Sequence, residues 1–264
     1  MYNLHAQKDD RAMEKEPKDR ICVALNSFER SSEAVATVAR LCHHVGWFSL
    51  GPLFQGASAF GPIHTEIRQA ISDSGARLFC DTNYYGALAD MSLAALAQVK
   101  NRANMFSVAC QGGGEMMKSA AETVVMQADG LGVPRPLVVG VTLLPHIISL
   151  GYVDISDISR PYCIRIMAQY TQYAGLDGAV AYFPEEIANI RETCGEGFLI
   201  VAAGVTSDEE YNHNNPRHIS TVSDAIIAGA DIVIVDDCVT RHPHDSDRLT
   251  AVQVITEQIG LALA

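Results

Sequence analysis

"RLFCDTNYYGALADM", residues 77–91, begins as an unbroken apolar run, reaches an acid at Asp81, and turns through Asn83 and Gly86 into a second apolar segment. A run with no polar alternation is what a strand buried on both faces of a parallel sheet looks like. The strand and its polar turn form a unit that recurs. ICVALN (21–26), GWFSL (46–50), MFSVA (105–109), PLVVGVT (136–142), GAVAY (178–182), FLIVAAG (198–204) and DIVIVD (231–236) repeat it, giving eight strands with RLFCD (77–81). Helix patterns fill the intervals. SSEAVATVARLCHHV opens with a Ser cap and sets apolar residues at 35, 38, 41 and 45, and EMMKSAAETVVMQA is spaced similarly.

Eight strand and helix units joined by right-handed crossovers close into an α/β (β/α)8 TIM barrel in a single domain. A doubly wound open sheet competes with this reading, but such sheets carry a GxGxxG turn after an early strand. QGGGEMM (111–117) lacks that spacing and reads as a tight turn toward a pocket. The domain is expected over 21–264. Residues 1–20, polar and mixed in charge, read as a mobile arm without the apolar core of a signal peptide.

The 264 residues are 48% hydrophobic with mean hydropathy +0.09, enough for one well-filled core, and no apolar run reaches the ~18 residues that span a bilayer. A net charge of -12 argues against nucleic acid and anionic membranes as partners, since both need clustered Lys and Arg. A small-molecule ligand is expected. Seven cysteines make no CxxC pair, and Cys22, Cys80 and Cys110 sit in or at the ends of apolar runs as small hydrophobes, which fits a reducing cytoplasm. The single tryptophan, Trp47, reads as packing between helix and barrel.

Functional residues of a barrel lie at the carboxyl ends of its strands. Those positions hold Asn26, Ser49, Asp81 with Asn83, Gln111, Thr142 with His146, and Tyr182. Asp81 is the one strand-end carboxylate in the first half. Two readings of it stay open: it projects into the mouth beside Asn26, Ser49 and Asn83, or it caps the following turn by Asx-type bonding. The last two loops, 206–218 and 236–248, carry His213, His218, His242 and His244 with Arg217, Arg241 and Arg248. Neither has a fixed ligand spacing such as HExxH, so no metal and no cofactor is expected. Barrels often bind phosphate at these loops, but Asp236 and Asp237 would oppose an anion. Arg217 and Asp237 join Gln111, Thr142, His146 and Tyr182 as expected substrate-binding residues.

The chain resembles the orotidine 5'-phosphate decarboxylase superfamily. SLGPLFQGASAFGP (49–62) is similar to its second-strand segment, RLFCDTNYYG to its Asp-x-Lys-x-x-Asp third strand, and ACQGGGEMMKSAAE to its His-x-x-Gly-Gly-x-x-Met-Met segment. VVGVTLL (138–144), AGLDGAVAYFPEEIANIR (174–191), LIVAAGVTSD and VSDAIIAGADIVIV (222–235) follow in order. The resemblance implies a dimeric barrel with sites at the subunit interface, and a Lys and Asp array that stresses a substrate carboxylate and protonates the resulting carbanion. Carried over, the first-strand Asp becomes Asn26, the second-strand Lys Ser49, the motif Asp stays Asp81, the motif Lys becomes Asn83 and the last Asp becomes Gly86. The Gly-Arg ending the family's eighth strand, whose Arg holds phosphate, becomes Asp236-Asp237. Four of five array residues are replaced.

An Asn cannot deliver a proton as an ammonium does. The sequence therefore points to a repurposed enzyme acting on a small non-phosphorylated metabolite, with Asp81, Asn83, Asn26 and Ser49 as its catalytic group. A non-catalytic binding protein and a retained carboxy-lyase are the alternatives.

Overall fold

The computed structural model describes residues 16–51, 62–145, 159–212, 219–242 and 244–264. Eight parallel strands close a barrel: β1 (Ile21–Ala24), β2 (Trp47–Leu50), β3 (Arg77–Tyr84), β4 (Met105–Ala109), β5 (Leu137–Val141), β6 (Gly178–Ala181), β7 (Leu199–Thr206) and β8 (Ile232–Val235). Each pairs with its neighbour in sequence, and β8 closes on β1 through Ile21 opposite Val233 and Val23 opposite Val235. A two-residue strand, Ser220–Thr221, extends the edge beyond β7. The helices are α1 (Ser31–Leu41), α2 (Pro62–Ser74), α3 (Leu88–Lys100), α4 (Gly113–Leu131), α5 (Ser159–Tyr173), α6 (Pro184–Cys194), α7 (Val222–Ile227), α8 (Asp237–Thr240) and α9 (Asp245–Ala262). The barrel fold expected from the eight apolar runs is the fold observed.

The strands are largely apolar on both faces because each face meets a different core. Ile21, Val23, Phe48, Leu50, Leu78, Cys80, Phe106 and Val108 face the helices, while Cys22, Ala24, Trp47, Phe79, Met105, Val139, Val180, Val201 and Ile232 fill the barrel. Trp47 thus lies inside the barrel, not between helix and barrel as its size suggests, because it shares the inward phase of β2 with Ser49. The Arg77 guanidinium covers its ring at 4.4 Å. The serine cap expected for α1 is absent as well. Arg30 occupies the cap position without a side-chain bond, and Ser31 instead donates to Glu66 on α2 at 3.2 Å.

Two Arg and Asp pairs fasten the amino ends of the later strands. Arg135 meets Asp177 with two bonds of 2.9 and 2.6 Å, and Asp177 also accepts the Val138 N–H. Arg191 donates to Asp231 at 2.7 Å, and Asp231 accepts the Ile200 N–H. Between those seams β6 and β7 approach closely at Gly178, where a Cβ would stand 2.1 Å from the Leu199 carbonyl oxygen. Gly178→Ala is therefore expected to cost about 1–3 kcal/mol by overpacking, read as a lower urea midpoint at constant slope. Gly130→Ala, with nothing within 4 Å of the added carbon, is the control. A Gly178→Ala midpoint equal to the control's would show that the seam yields freely.

Candidate functional site

The carboxyl ends of β1 to β3 bring four of the expected residues, Asn26, Ser49, Asp81 and Asn83, to one mouth. Asp81 lies within β3, which runs three residues beyond the apolar run that announced it. The extension depends on a bulge. Cys80 is opposite Phe106 and Tyr84 is opposite Val108, so Asp81, Thr82 and Asn83 together face the single residue Ser107. Asn83 reaches this register with φ of 46°, a left-handed conformation that Asn tolerates better than most residues.

Ser107 is fully buried, and all three bulge residues bond to it. Its hydroxyl donates to Asp81 Oδ1 at 2.8 Å and accepts the Asn83 N–H at 2.8 Å, while Thr82 Oγ1 donates to its carbonyl at 3.4 Å. Asp81 is thus anchored sideways to β4 rather than capping the turn ahead of it. Burial pushes its carboxyl above the usual Asp range, and the Ser107 bond only partly offsets this. The Asn83 Oδ1 atom is buried without a hydrogen-bond partner among the described residues.

Ser49, 1% exposed, occupies the inward face of β2 with the Cys22 thiol beside its Oγ. Asn26 sits in the turn after β1, where its Oδ1 accepts the Gly51 N–H at 2.6 Å and ties the first two loops together. Gln111 leaves the 3-10 turn after β4 and donates to the Thr142 carbonyl at 3.2 Å. The Thr142 hydroxyl is itself buried and donates to the Val180 carbonyl at 2.8 Å, within the β5 and β6 seam. His146 and Arg217, and with them His213 and His218, lie outside the described residues.

Tyr182 follows β6 and packs against the inner core. Burial raises its hydroxyl pKa well above the usual tyrosine range, and the negative charges of Asp81 and Glu186 push the same way, against Arg160. Glu186, 2% exposed, accepts from Arg160 Nε at 2.6 Å and from the Tyr182 and Phe183 N–H groups at 3.4 Å each. Arg160 also donates to the Leu143 and Leu144 carbonyls at 3.0 and 3.3 Å. This buried pair links the ends of β5 and β6 behind Tyr182.

At the end of β8, Asp236 accepts hydrogen bonds from Ser27 and, at 3.0 Å, from Thr240. Its carboxylate joins the end of β8 to that of β1. Asp237, partly exposed, opens α8. Neither position offers a cation.

Ser107, Arg160 and Glu186 were not among the expected site residues. The only sequence signal for Ser107 is a hydroxyl in an otherwise apolar strand, two residues beyond the inward Met105. Nothing in the local sequence links Arg160 to Glu186, since the contact exists only after β5 and β6 pair.

Asp81 carries a further consequence. A carboxyl whose folded pKa lies above its unfolded value binds more protons in the native state, so stability falls as pH rises from the ordinary Asp range through the raised folded pKa. Above that window the buried charge is a net cost. Asp81→Asn is therefore expected to stabilise the fold by about 1 kcal/mol at neutral pH, as substitutions that relieve a strained site commonly do, with the gain vanishing in acid. Chemical denaturation at neutral and acid pH checks this, and a loss of stability at neutral pH would refute it.

The carboxyl-end mouth of this parallel (β/α)8 barrel thus holds the half-buried Asp81 carboxylate among hydroxyls and amides. No family model matches the chain. It is 32% identical over 251 residues to the orotidine 5'-phosphate decarboxylase of Syntrophotalea carbinolica, covering 94% of this chain and 98% of that one. The orotidine 5'-phosphate decarboxylase of Moorella thermoacetica is 30% identical over 246 residues, 92% and 93% of the two chains. Among solved structures, orotidine 5'-phosphate decarboxylase from Lactobacillus acidophilus matches with TM-score 0.71 at 20% identity, over 90% of this chain and 98% of that one. An uncharacterized conserved protein from Geobacillus kaustophilus matches with TM-score 0.70 at 22% identity, over 90% and 99%. The chain belongs to the orotidine 5'-phosphate decarboxylase family.

Proposed function

We propose that this family member acts on a small, non-phosphorylated metabolite, with Asp81 as general base or hydrogen-bond anchor, and does not decarboxylate orotidine 5'-phosphate efficiently. One observation carries the reading: Asp81 has no ammonium beside it among the described residues. The chain's lysines are Lys8, Lys15, Lys18, Lys100 and Lys118. Lys8 and Lys15 lie outside the described residues. Lys18 pairs with Glu16, ahead of β1. Lys100 ends α3. Lys118, half exposed on α4, approaches Glu122. Two guanidiniums come near this region: Arg160, each of whose three nitrogens donates to Glu186 or to a carbonyl, and Arg68 on α2, whose charge acts on Cys80 and Tyr84.

Without an ammonium beside it among the described residues, Asp81 presents an acceptor, which suits a ligand group rich in N–H or O–H donors. Asp236 and Asp237 disfavour a phosphate dianion at the far loops by charge repulsion. Gln111, Thr142, His146, Tyr182, Arg217 and Asp237 are its substrate-binding residues. A homodimer is part of it, supported by the exposed Tyr85 and Leu88 just after β3, at 73% and 51%. The relatives' names favour a second reading, retained decarboxylation.

Native mass spectrometry of freshly purified protein tests the proposal. A bound metabolite lacking phosphate, retained by wild type and lost from Asp81→Asn, is the expected result. A co-purified nucleotide unaffected by that substitution would overturn it.

A further inference from the structure

We infer that Ser107 is the positioning residue of this mouth: one buried hydroxyl fixes both the direction of the Asp81 carboxylate and the left-handed backbone of Asn83. The inference rests on the proposed reading only in taking Asp81 as the working group of the site.

The argument is one of valence and register. A serine hydroxyl has a single proton to donate. Here that proton goes to Asp81 Oδ1, and a lone pair on the same oxygen takes the Asn83 N–H, both at 2.8 Å. The backbone carbonyl of Ser107 receives Thr82. Three residues of β3 therefore wrap around one residue of β4, between the ordinary pairings of Cys80 with Phe106 and of Tyr84 with Val108. A bulge that leaves extra residues opposite one partner needs some group to receive the displaced N–H, because a buried unpaired N–H costs free energy. Ser107 is that group.

The consequence is directional. Oδ1 of Asp81 is held toward β4, and among the described residues no hydrogen bond engages Oδ2, the oxygen that faces a ligand. The same hydroxyl that receives the Asn83 N–H thus also orients the carboxylate, so the two groups are coupled through it. A valine or alanine at 107 would fill the strand equally well and would lose this coupling. Ser107 acts through Asp81 and Asn83, without itself offering a free donor to the mouth.

The test compares wild type, Ser107→Ala and Ser107→Thr. Asp81 ionisation is followed by carbon-detected NMR of the labelled carboxyl, and exchange of the Asn83 amide by hydrogen–deuterium exchange. Ser107→Ala removes a bond to the charged form, so the Asp81 titration is expected to move to higher pH, and the Asn83 amide to exchange about tenfold faster, the equivalent of one net hydrogen bond. Ser107→Thr keeps the hydroxyl and is expected to restore both. A merely space-filling serine would move neither readout, so an unchanged Asp81 titration and Asn83 exchange in folded Ser107→Ala overturns the inference. Should Ser107→Ala fold poorly, Ser107→Cys decides: a weak thiol donor is expected to shift the titration upward, and a wild-type titration with that variant overturns the inference equally. Neither measurement depends on turnover, so failure here would leave the proposed function standing.

Discussion

Purified protein is expected to decarboxylate orotidine 5'-phosphate at least about 10⁴-fold more slowly than the Moorella thermoacetica relative assayed beside it, the combined effect of losing proton delivery and electrostatic stabilisation. Decarboxylation leaves an electron pair on carbon, and something must lower its energy and protonate it. Asn83 and Ser49, at the positions the resemblance assigns to the family's lysines, hold no charge and no proton acidic enough at neutral pH. Asp81 alone would repel a substrate carboxylate with nothing to receive the carbanion. Loss of substrate absorbance in the ultraviolet reads the rate. A value within tenfold of the relative's would sink the proposal in favour of retained decarboxylation. Reinstalling one lysine is not expected to rescue activity. Asn83 stands at φ 46°, where a lysine is strained, and Ser49 is fully enclosed, so a lysine there must displace its neighbours. Gly86→Asp, by contrast, meets only ordinary contact with Asp90 at 3.6 Å, yet an acid alone supplies no proton source of the needed charge.

The eight strands could be read from sequence because continuous apolar runs of four to eight residues have few other uses in a chain of this size. The phase of each strand could not be read for the same reason. When helices cover one face and other strands the opposite one, both phases are apolar, and no polar residue marks which is which. Trp47 shows the cost: its size suggested the roomy outer layer, while register puts it inward with Cys22 and Phe79. Asp81 was legible as the lone acid ending an apolar run in the first half of the chain. The bulge that aims it was not, because a bulge is a mismatch between two strands and neither strand records it alone. Ser107 and Asn83 look unremarkable until Cys80 and Tyr84 are paired with Phe106 and Val108. The Asp177 and Asp231 pairs were hidden in the same way, each carboxylate reaching a backbone N–H on a neighbouring strand.

The ion pair behind Tyr182 gives the largest stability effect expected for a single substitution. Glu186→Ala is expected to cost about 3–5 kcal/mol, because removing one partner of a buried pair leaves the other charge uncompensated. Arg160 has only 15% of its side chain exposed and cannot regain water without leaving the Leu143 and Leu144 carbonyls. Burial pushes the Glu186 carboxyl upward and Arg160 pulls it back, so the charged pair persists only while both members are present. Replacing both by apolar residues is often neutral for isolated buried pairs. Here it is expected to remain costly, since the Tyr182 and Phe183 N–H groups and two carbonyls would lose their partners together. Urea unfolding of Glu186→Ala, Arg160→Met and the double variant Arg160→Met with Glu186→Leu measures the three costs. If the double variant matched wild type, the pair would be dispensable to the carbonyls and N–H groups it now satisfies, and its hold on Tyr182 would have to come from the surrounding apolar packing instead.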